Sequence, residues 1–370
     1  MKKIQWCRNC LAMSTRPRIT FDDRGFCNAC CWMEKKQYID WRKRKTELDK
    51  VLKRHRRVDG FFDCLVPVSG GKDGSYVAHQ LKHKHGMKPL CLTVNPPLQL
   101  KVGQQNLKAF VASGYEHIGI SPCPSIMQKL NKVGFVKLGF PYYGWLTAIQ
   151  ATPVRIASNM GINLIFYGED GEVEYGGTNK TEAEPIYNVE YMKKIYLEGG
   201  YDTILRELSA DEKGTTFFKF PFMEESKSRR LDITHWSYFE NWDPYRNYIV
   251  AKSECGLTEC SESSPGTFTN YSQTDQSLYS LHTYLMYLKY GFGRANQDAC
   301  IEIRRGAMDR QQAINLVKLY DGQMPEDQIP EYLSYFKMTR DEFFAVLKKW
   351  ANKDLFRIEN YKFTPLFSIK

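Results

Sequence analysis

Between Phe61 and Gly168 the chain keeps repeating one texture: a short apolar run, a turn, then a segment with helical spacing. Few architectures tolerate this. "FFDCLVPV" reads as a strand, "GSYVAHQLKHKHG" as a helix with Val77, Ala78 and Leu81 inward and Gly86 as its stop, and "KPLCLTV" as a second strand. "GQQNLKAFVASG" reads as helix, "HIGI" as strand, "GWLTAIQATPVRIASNMG" as a helix bent at Pro153, and "INLIFYG" as strand. Strands joined by helical crossovers are parallel, and a parallel sheet needs both faces covered. The predicted fold class is therefore α/β. After Gly168 the pattern blurs as far as about Pro265, and from Asp275 onward it is helical. There Asp309 and Gln312, and Thr339 and Glu342, stand at capping-box spacing, with Met338 and Phe343 placed as a hydrophobic staple.

The first strand and helix enclose "SGGKDGS", residues 69–75. Open parallel sheets bind ligands beyond the carboxyl ends of their strands, at the N-termini of the helices that follow. Gly70 and Gly71 let the backbone approach an anion, and Lys72 with the hydroxyls of Ser69 and Ser75 adds donors. The spacing is neither that of a Walker A loop nor a GxGxxG fingerprint.

Residues 1–36 read as a small module of their own, because they hold five cysteines and few long apolar runs. Cys7-x2-Cys10 and Cys27-x2-Cys30 have the spacing of two knuckles closing on one tetrahedral Zn2+, whose role in a four-thiolate site is structural. Cys31 competes with Cys30 for the fourth position. Eleven cysteines, an odd number clustered near the start, fit reduced thiols and a metal rather than a disulfide framework. With no apolar span and no leader pattern, the chain reads as cytoplasmic and without a membrane partner. The net charge of +10 calls for an anionic partner without choosing one. The basic run from Trp41 to Arg57 reads as a connecting helix over 37–58, either solvated on its charged face or docking a partner.

The order Ser-Gly-Gly-Lys-Asp after an apolar strand resembles the PP-loop of ATP pyrophosphatases, an adenine nucleotide alpha hydrolase-like fold, with Gly74 where serine is common and Ser75 following it. "WCRNC...TRPRITFDDRGFCNAC", "VPVSGGKDGSYVAHQLK", "LIFYGEDGEVEYGG" and "HTYLMYLKYGFGRANQDACIEIRRGAMDRQQAINLVKLYDG" together resemble the N-acetyl sugar amidotransferases over nearly the whole chain. The loop is especially like the pseudaminic acid branch, named for flagellin glycosylation; close relatives act on diacetamido-uronic acids in lipopolysaccharide O-antigen synthesis. The resemblance implies a PP-loop domain over 59–265 with an insertion after 171, a helical region over 266–370, and conversion of a sugar acetamido group, free or nucleotide-linked, into an acetamidino group. It implies ATP and Mg2+ as cofactors, and ammonia from a glutaminase partner similar to the subunits of imidazole glycerol phosphate synthase, or free ammonia.

Carried onto this sequence, the loop residues Ser69, Gly70, Gly71, Lys72, Asp73, Gly74 and Ser75 are expected to hold the triphosphate, with Asp73 a magnesium ligand. Thr93, Val94, Asn95 and Gly168 are expected at the nucleotide. Glu169 and Glu172 join Lys72 and Asp73 as catalytic candidates; Asp170, Glu174, Arg294 and Arg304 are candidates for the sugar. Gly176 and Gly177 offer close backbone approach to that sugar. Arg305, His235, Trp236 and Trp242 are weaker candidates, and Cys64, Cys91, Cys123 and Cys300 read as buried fillers. The rival reading is a tRNA-modifying PP-loop enzyme of the thiolation type. It wants a reactive cysteine pair near the loop, which is not seen, so nucleic acid is disfavoured as partner. A non-enzymatic zinc-ribbon nucleic-acid binder leaves the loop unexplained.

Overall fold

The computed structural model describes residues 4–178, 181–209, 212–221 and 231–369, so parts of the segment after 171 lie outside the described residues. Strands β1 (Cys64–Pro67), β2 (Pro89–Val94), β3 (His117–Ile120), β4 (Leu164–Tyr167), β5 (Ile186–Tyr187) and β6 (Asp232–His235) form one sheet in the order β3-β2-β1-β4-β6-β5. Neighbours are parallel except at the last edge, where β5 runs antiparallel to β6. The α/β expectation holds, and β2 is buried along its whole length as a doubly covered strand must be. From β1 the chain works outward to β3 and then returns to β4 on the other side of β1. The loops after β1 and β4 thus part at a topological switch point, leaving a crevice between them.

Helices α1 (Asn28–Lys36) and α2 (Trp41–His55) precede the sheet, and α3 (Lys72–His79), α4 (Lys101–Ala112), α5 (Pro124–Val133) and α6 (Tyr143–Met160) connect its first four strands. Pro153 lies inside α6, whose Ala148, Ala151, Val154 and Ala157 are fully buried; small side chains at helical spacing bring the helix close to the sheet. The region that reads ambiguously holds α7 (Gly171–Tyr175), α8 (Val189–Ile195), α9 (Tyr201–Leu205), α10 (Trp236–Phe239) and α11 (Pro244–Cys255), besides β5 and β6. The C-terminal part is α12 (Leu278–Tyr290), α13 (Arg294–Arg304), α14 (Arg310–Tyr320), α15 (Ile329–Phe336) and α16 (Arg340–Trp350). Both predicted capping boxes are present. A hairpin of β7 (Phe356–Glu359) and β8 (Lys362–Pro365) closes the chain, which the helical expectation for 266–370 did not include.

The cysteine-rich start is tied to the far end of the chain. Asn296 donates to the Leu11 carbonyl at 3.0 Å, Thr15 to that of Tyr290 at 2.6 Å, and Arg310 to that of Cys7 at 3.2 Å. Leu11 shares a small core with Ala299, Ala313 and Val317. Packing against α13 and α14 therefore orders residues that a short apolar-poor segment could not order alone. Among the described residues no helix is long and apolar enough to cross a membrane.

Candidate active site

Gly70 leaves β1 at φ +80°, and a Cβ there would lie 2.4 Å from the Leu107 nitrogen, so the loop rests directly on α4. Only glycine fits. At Gly71 no side chain among the described residues caps α3, which leaves its first-turn N–H groups available to an anion. Gly74 departs from the common serine for a local reason: a Cβ would sit 2.8 Å from the Pro67 carbonyl oxygen and 3.1 Å from the Val68 Cα. The first turn of α3 is pressed against the end of β1. Ser75 next to it is fully buried, with no hydrogen-bond partner for its hydroxyl among the described residues.

Lys72 and Asp73 form an ion pair, and the fully buried Asn247 of α11 donates to the second Asp73 oxygen at 3.2 Å. Gly168, at the end of β4, faces them; a Cβ there would come within 3.2 Å of the Asp73 Cβ and 3.2 Å of the Trp242 ring. Glu169 follows, accepting from the Tyr175 hydroxyl at 3.2 Å. Burial raises the Glu169 pKa and the nearby Asp73 charge raises it further, against the pull of Lys72. Burial works against the Lys72 ammonium, but Asp73 and Glu169 outweigh it and its pKa is raised. The crevice thus holds one firmly charged ammonium beside two carboxyl groups that repel each other.

Beside the loop, between it and α4, is a cleft of about 220 Å³ whose walls include Ser69, Thr93, Asn95, Gln99, Gly103 and Asp275. Asp275 is a residue the sequence reading missed. The chain before α12 runs antiparallel to 98–100, with Leu100 N–H donating to the Asp275 carbonyl and Ser277 N–H to the Leu98 carbonyl, both at 3.0 Å. Gly103 permits this, because a Cβ there would strike the Thr274 carbonyl oxygen at 2.5 Å. A glycine in the first turn of an otherwise good helix was the available signal. Burial raises the Asp275 pKa, opposed by a hydrogen bond with Ser69 and by the Lys72 charge.

Strand periodicity divides the β2 candidates. Thr93 and Asn95 face the cleft, whereas Val94 points into the core and its carbonyl accepts from Trp145 at 3.0 Å. Val94 is therefore a packing residue. The Thr93 hydroxyl is engaged by the Val68 carbonyl and His117.

The acidic run after β4 does not converge on the loop as expected. Of its four carboxylates only Glu169 is at Lys72 and Asp73. Asp170 caps α7, accepting from the Glu172 N–H at 3.0 Å, and takes further hydrogen bonds from Thr181 and Tyr196, with His235 at 4.0 Å. Glu172 pairs with Arg18 at 2.7 Å; Glu174 takes Lys36 at 2.6 Å and the Trp32 indole at 3.1 Å. These three fasten α7 to its neighbours. Gly176 and Gly177 serve the same seam: a Cβ at Gly176 would lie 2.9 Å from the Asn28 side chain, and at Gly177 it would strike the Glu172 carboxylate. The arginines are also partnered. Arg294 bonds Asp298 at 2.8 Å, Arg305 bonds Glu302 at 2.6 Å, and Arg304 reaches the Cys10 thiol at 3.8 Å and the Glu174 carbonyl at 3.3 Å. Burial opposes the Arg294 charge, yet Asp298, Tyr175 and Glu169 raise its pKa overall, so it stays a cation beside the crevice. The Trp236 indole bonds Glu240, and Trp242 packs against Tyr76. Of the cysteines read as fillers, Cys64, Cys91 and Cys300 are buried, but Cys123 is half-buried at the N-cap of α5.

Cys7, Cys10, Cys27 and Cys30 are all buried, with their sulfurs within 4.8 Å of one another. Cys31 lies apart, its thiol directed at Asp22 at 3.6 Å. Thiol hydrogen bonds from Cys27 and Cys30 hold the Cys10 pKa well below the ordinary range.

Residues 265–367 match the family model described as LPS biosynthesis protein WbpG-like, C-terminal domain. The matched segment includes Asp275, α12 and α13, and hence one wall of the cleft. The uncharacterized protein MJ1599 of Methanocaldococcus jannaschii is 29% identical over 101 residues, 27% of this chain and 36% of that protein. The chain thus spans about a third of the length of the curated relative it matches. Among solved structures, the U34-tRNA thiolase NcsA from Methanococcus maripaludis, described with its 4Fe-4S cluster, aligns over 83% of this chain and 88% of its own at 15% identity and a TM-score of 0.31, an overlap too loose to assign a fold.

Proposed function

We propose that the protein is an ATP-dependent, pyrophosphate-releasing enzyme of the PP-loop type whose acceptor is the N-acetyl group of a bacterial sugar, which it converts into an acetamidino group. The observation that carries this reading is the crevice between β1 and β4, where the glycine loop, Lys72, Asp73 and Glu169 meet at the start of α3. The match of residues 265–367 to a lipopolysaccharide biosynthesis family supports a sugar as acceptor.

An acetamide carbonyl is a poor electrophile and its oxygen will not leave as hydroxide. In the proposed reaction the amide oxygen attacks the α-phosphorus of ATP, and pyrophosphate departs with the electrons of the broken P–O bond. Ammonia then adds at the imidate carbon, loses a proton, and AMP leaves with the C–O electrons. The products are the amidine, AMP and pyrophosphate. Lys72 and the N–H groups at α3 would neutralise and position the polyphosphate. Asp73 and Glu169, two neighbouring carboxyl groups, would hold a divalent cation, and Mg2+ would supply charge neutralisation there when bound. The proton that the adding amine sheds would pass to solvent. The four buried thiols fit Zn2+ in a closed site of structural role. Ammonia would come from a glutaminase partner or from solution.

A second reading, a tRNA-modifying PP-loop enzyme, is favoured by one observation: α2 exposes Arg42, Lys43, Lys45, Lys50 and Lys53 on a single element. The purified protein, incubated with ATP, magnesium, ammonia and a panel of N-acetylated sugars, free and nucleotide-linked, should exchange oxygen for NH on one of them, read by mass spectrometry. No product from any sugar, together with adenylation of tRNA, would replace the first reading by the second.

A further inference from the structure

Behind Tyr175 lies a second, smaller pocket, lined by Arg16, Tyr175, Phe292, Gln297 and Arg304 among others, with about 20 Å³ of free space. Two arginines face it and no carboxylate lines it. Arg304 is occupied by the Cys10 thiol and the Glu174 carbonyl. Arg16 is not: among the described residues its guanidinium has no hydrogen-bond or ion-pair partner and lies 5.9 Å from the Phe292 ring centroid. The carboxylate in electrostatic reach of it, Glu172, is already paired with Arg18. The Gln297 side-chain amide likewise makes no hydrogen bond among the described residues and adds a free donor.

Two like charges in one pocket, one of them unpaired, are costly unless an anion joins them. We infer that this pocket is the subsite for an anionic group of the acceptor, with Arg16 as the residue that reads it. Its guanidinium fork matches a carboxylate or phosphate by two parallel hydrogen bonds, and Gln297 offers a third donor. The position fits the crevice chemistry, because the Tyr175 ring that walls the pocket carries the hydroxyl bound to Glu169. An acceptor spanning Tyr175 would seat its anion on Arg16 and its acetamido group at Glu169 and Lys72. This inference rests on the proposed sugar reading and deepens it: the acceptor is an acidic sugar, or a sugar whose linked phosphate provides the anion. It also moves anion recognition away from Arg294 and Arg304, which the structure shows already partnered, to a residue of the cysteine-rich module.

The test is equilibrium binding by calorimetry, with ATP and magnesium present, of three probes: an N-acetylated uronic sugar, its carboxyl-reduced neutral counterpart, and that neutral sugar linked to a nucleoside diphosphate. Wild type should bind one anionic probe about tenfold or more tightly than the neutral sugar. Arg16→Gln should abolish that preference and Arg16→Lys should restore part of it, with metal content and melting temperature unchanged. Loss of preference for the uronic sugar assigns the pocket to a carboxylate, and loss for the nucleotide-linked sugar assigns it to a phosphate. Equal binding of all three probes by wild type, no binding at all, or an Arg16→Gln variant that keeps the preference would overturn the inference. If Arg16→Gln does not melt cooperatively, Gln297→Leu is the substitute and should weaken the same anionic probe several-fold. An intact, Arg16-dependent preference without amidine formation from any sugar would sink the catalytic reading alone. Amidine formation with the preference intact in Arg16→Gln would sink the pocket alone.

Discussion

The side-chain amide of Asn247 donates to Asp73 at 3.2 Å from a fully buried position, joining α11 to the first turn of α3. Asp73 is thereby held from two sides, with Lys72 on one oxygen and Asn247 on the other. A carboxylate so fixed has its orientation set before any ligand arrives.

Removing Asp73 itself should abolish the chemistry. Asp73→Ala is expected to stop AMP release while zinc content stays at wild-type level, since the thiol cluster lies elsewhere. Retained AMP release, measured by chromatography of the nucleotide products, would mean the site is misplaced. Asn247→Ala should slow AMP release by roughly tenfold or more, the scale of one hydrogen bond to a charged group.

Gly74→Ser would restore the letter common in PP-loops, yet it should harm this protein. The new side chain must displace the Pro67 carbonyl or move α3. A destabilisation of about 1–3 kcal/mol is expected from such overpacking, visible as a lower melting temperature. An unchanged melt would show that the contact relaxes freely.

The two adjacent cysteines should separate cleanly. Cys30→Ser is expected to lower the metal bound per chain and to destabilise the fold; Cys31→Ser should leave both as they are, because its thiol faces Asp22. Elemental analysis of the purified variants decides.

Asp321 gives a pH signature. It accepts from the Gly293 N–H at 2.7 Å and the Asn296 N–H at 3.3 Å, yet burial pushes its pKa up to about 7, against an unfolded value near 3.8. The folded state therefore holds its proton longer than the unfolded state does. Its contribution to stability is complete below about pH 4 and is lost as pH rises through about 7. Asp321→Asn should remove that slope, on the order of 4 kcal/mol across the window, from denaturant melts run at several pH values. Parallel slopes in wild type and variant would contradict this.

The first four strands and the helices α3, α4 and α6 were legible because each carries its own period, with Gly86 and Gly161 as stops before β2 and β4, whereas α5 was not assigned. The glycine loop was legible for the same reason: its chemistry is local. Strand β6 was not, since "DITH" carries a single aliphatic residue, Ile233, and owes its place to pairing with β4 and β5. Asp275 and Asn247 lie far along the chain from Ser69 and Asp73, and nothing in their own neighbourhoods marks them. The acidic run misled by composition. Four carboxylates close in sequence on a short helix point to different sides, and three of them found cations or backbone partners of their own. Arg16 stayed hidden because an arginine declares its purpose only by what it fails to touch.

The bond between Asn296 and Leu11 joins residues 285 positions apart. During synthesis the cysteine knuckle leaves the ribosome long before the helices that form its seat. Until those helices have been made, the Leu11 side of the knuckle has nothing to pack against, and only a bound metal could hold its four thiols together.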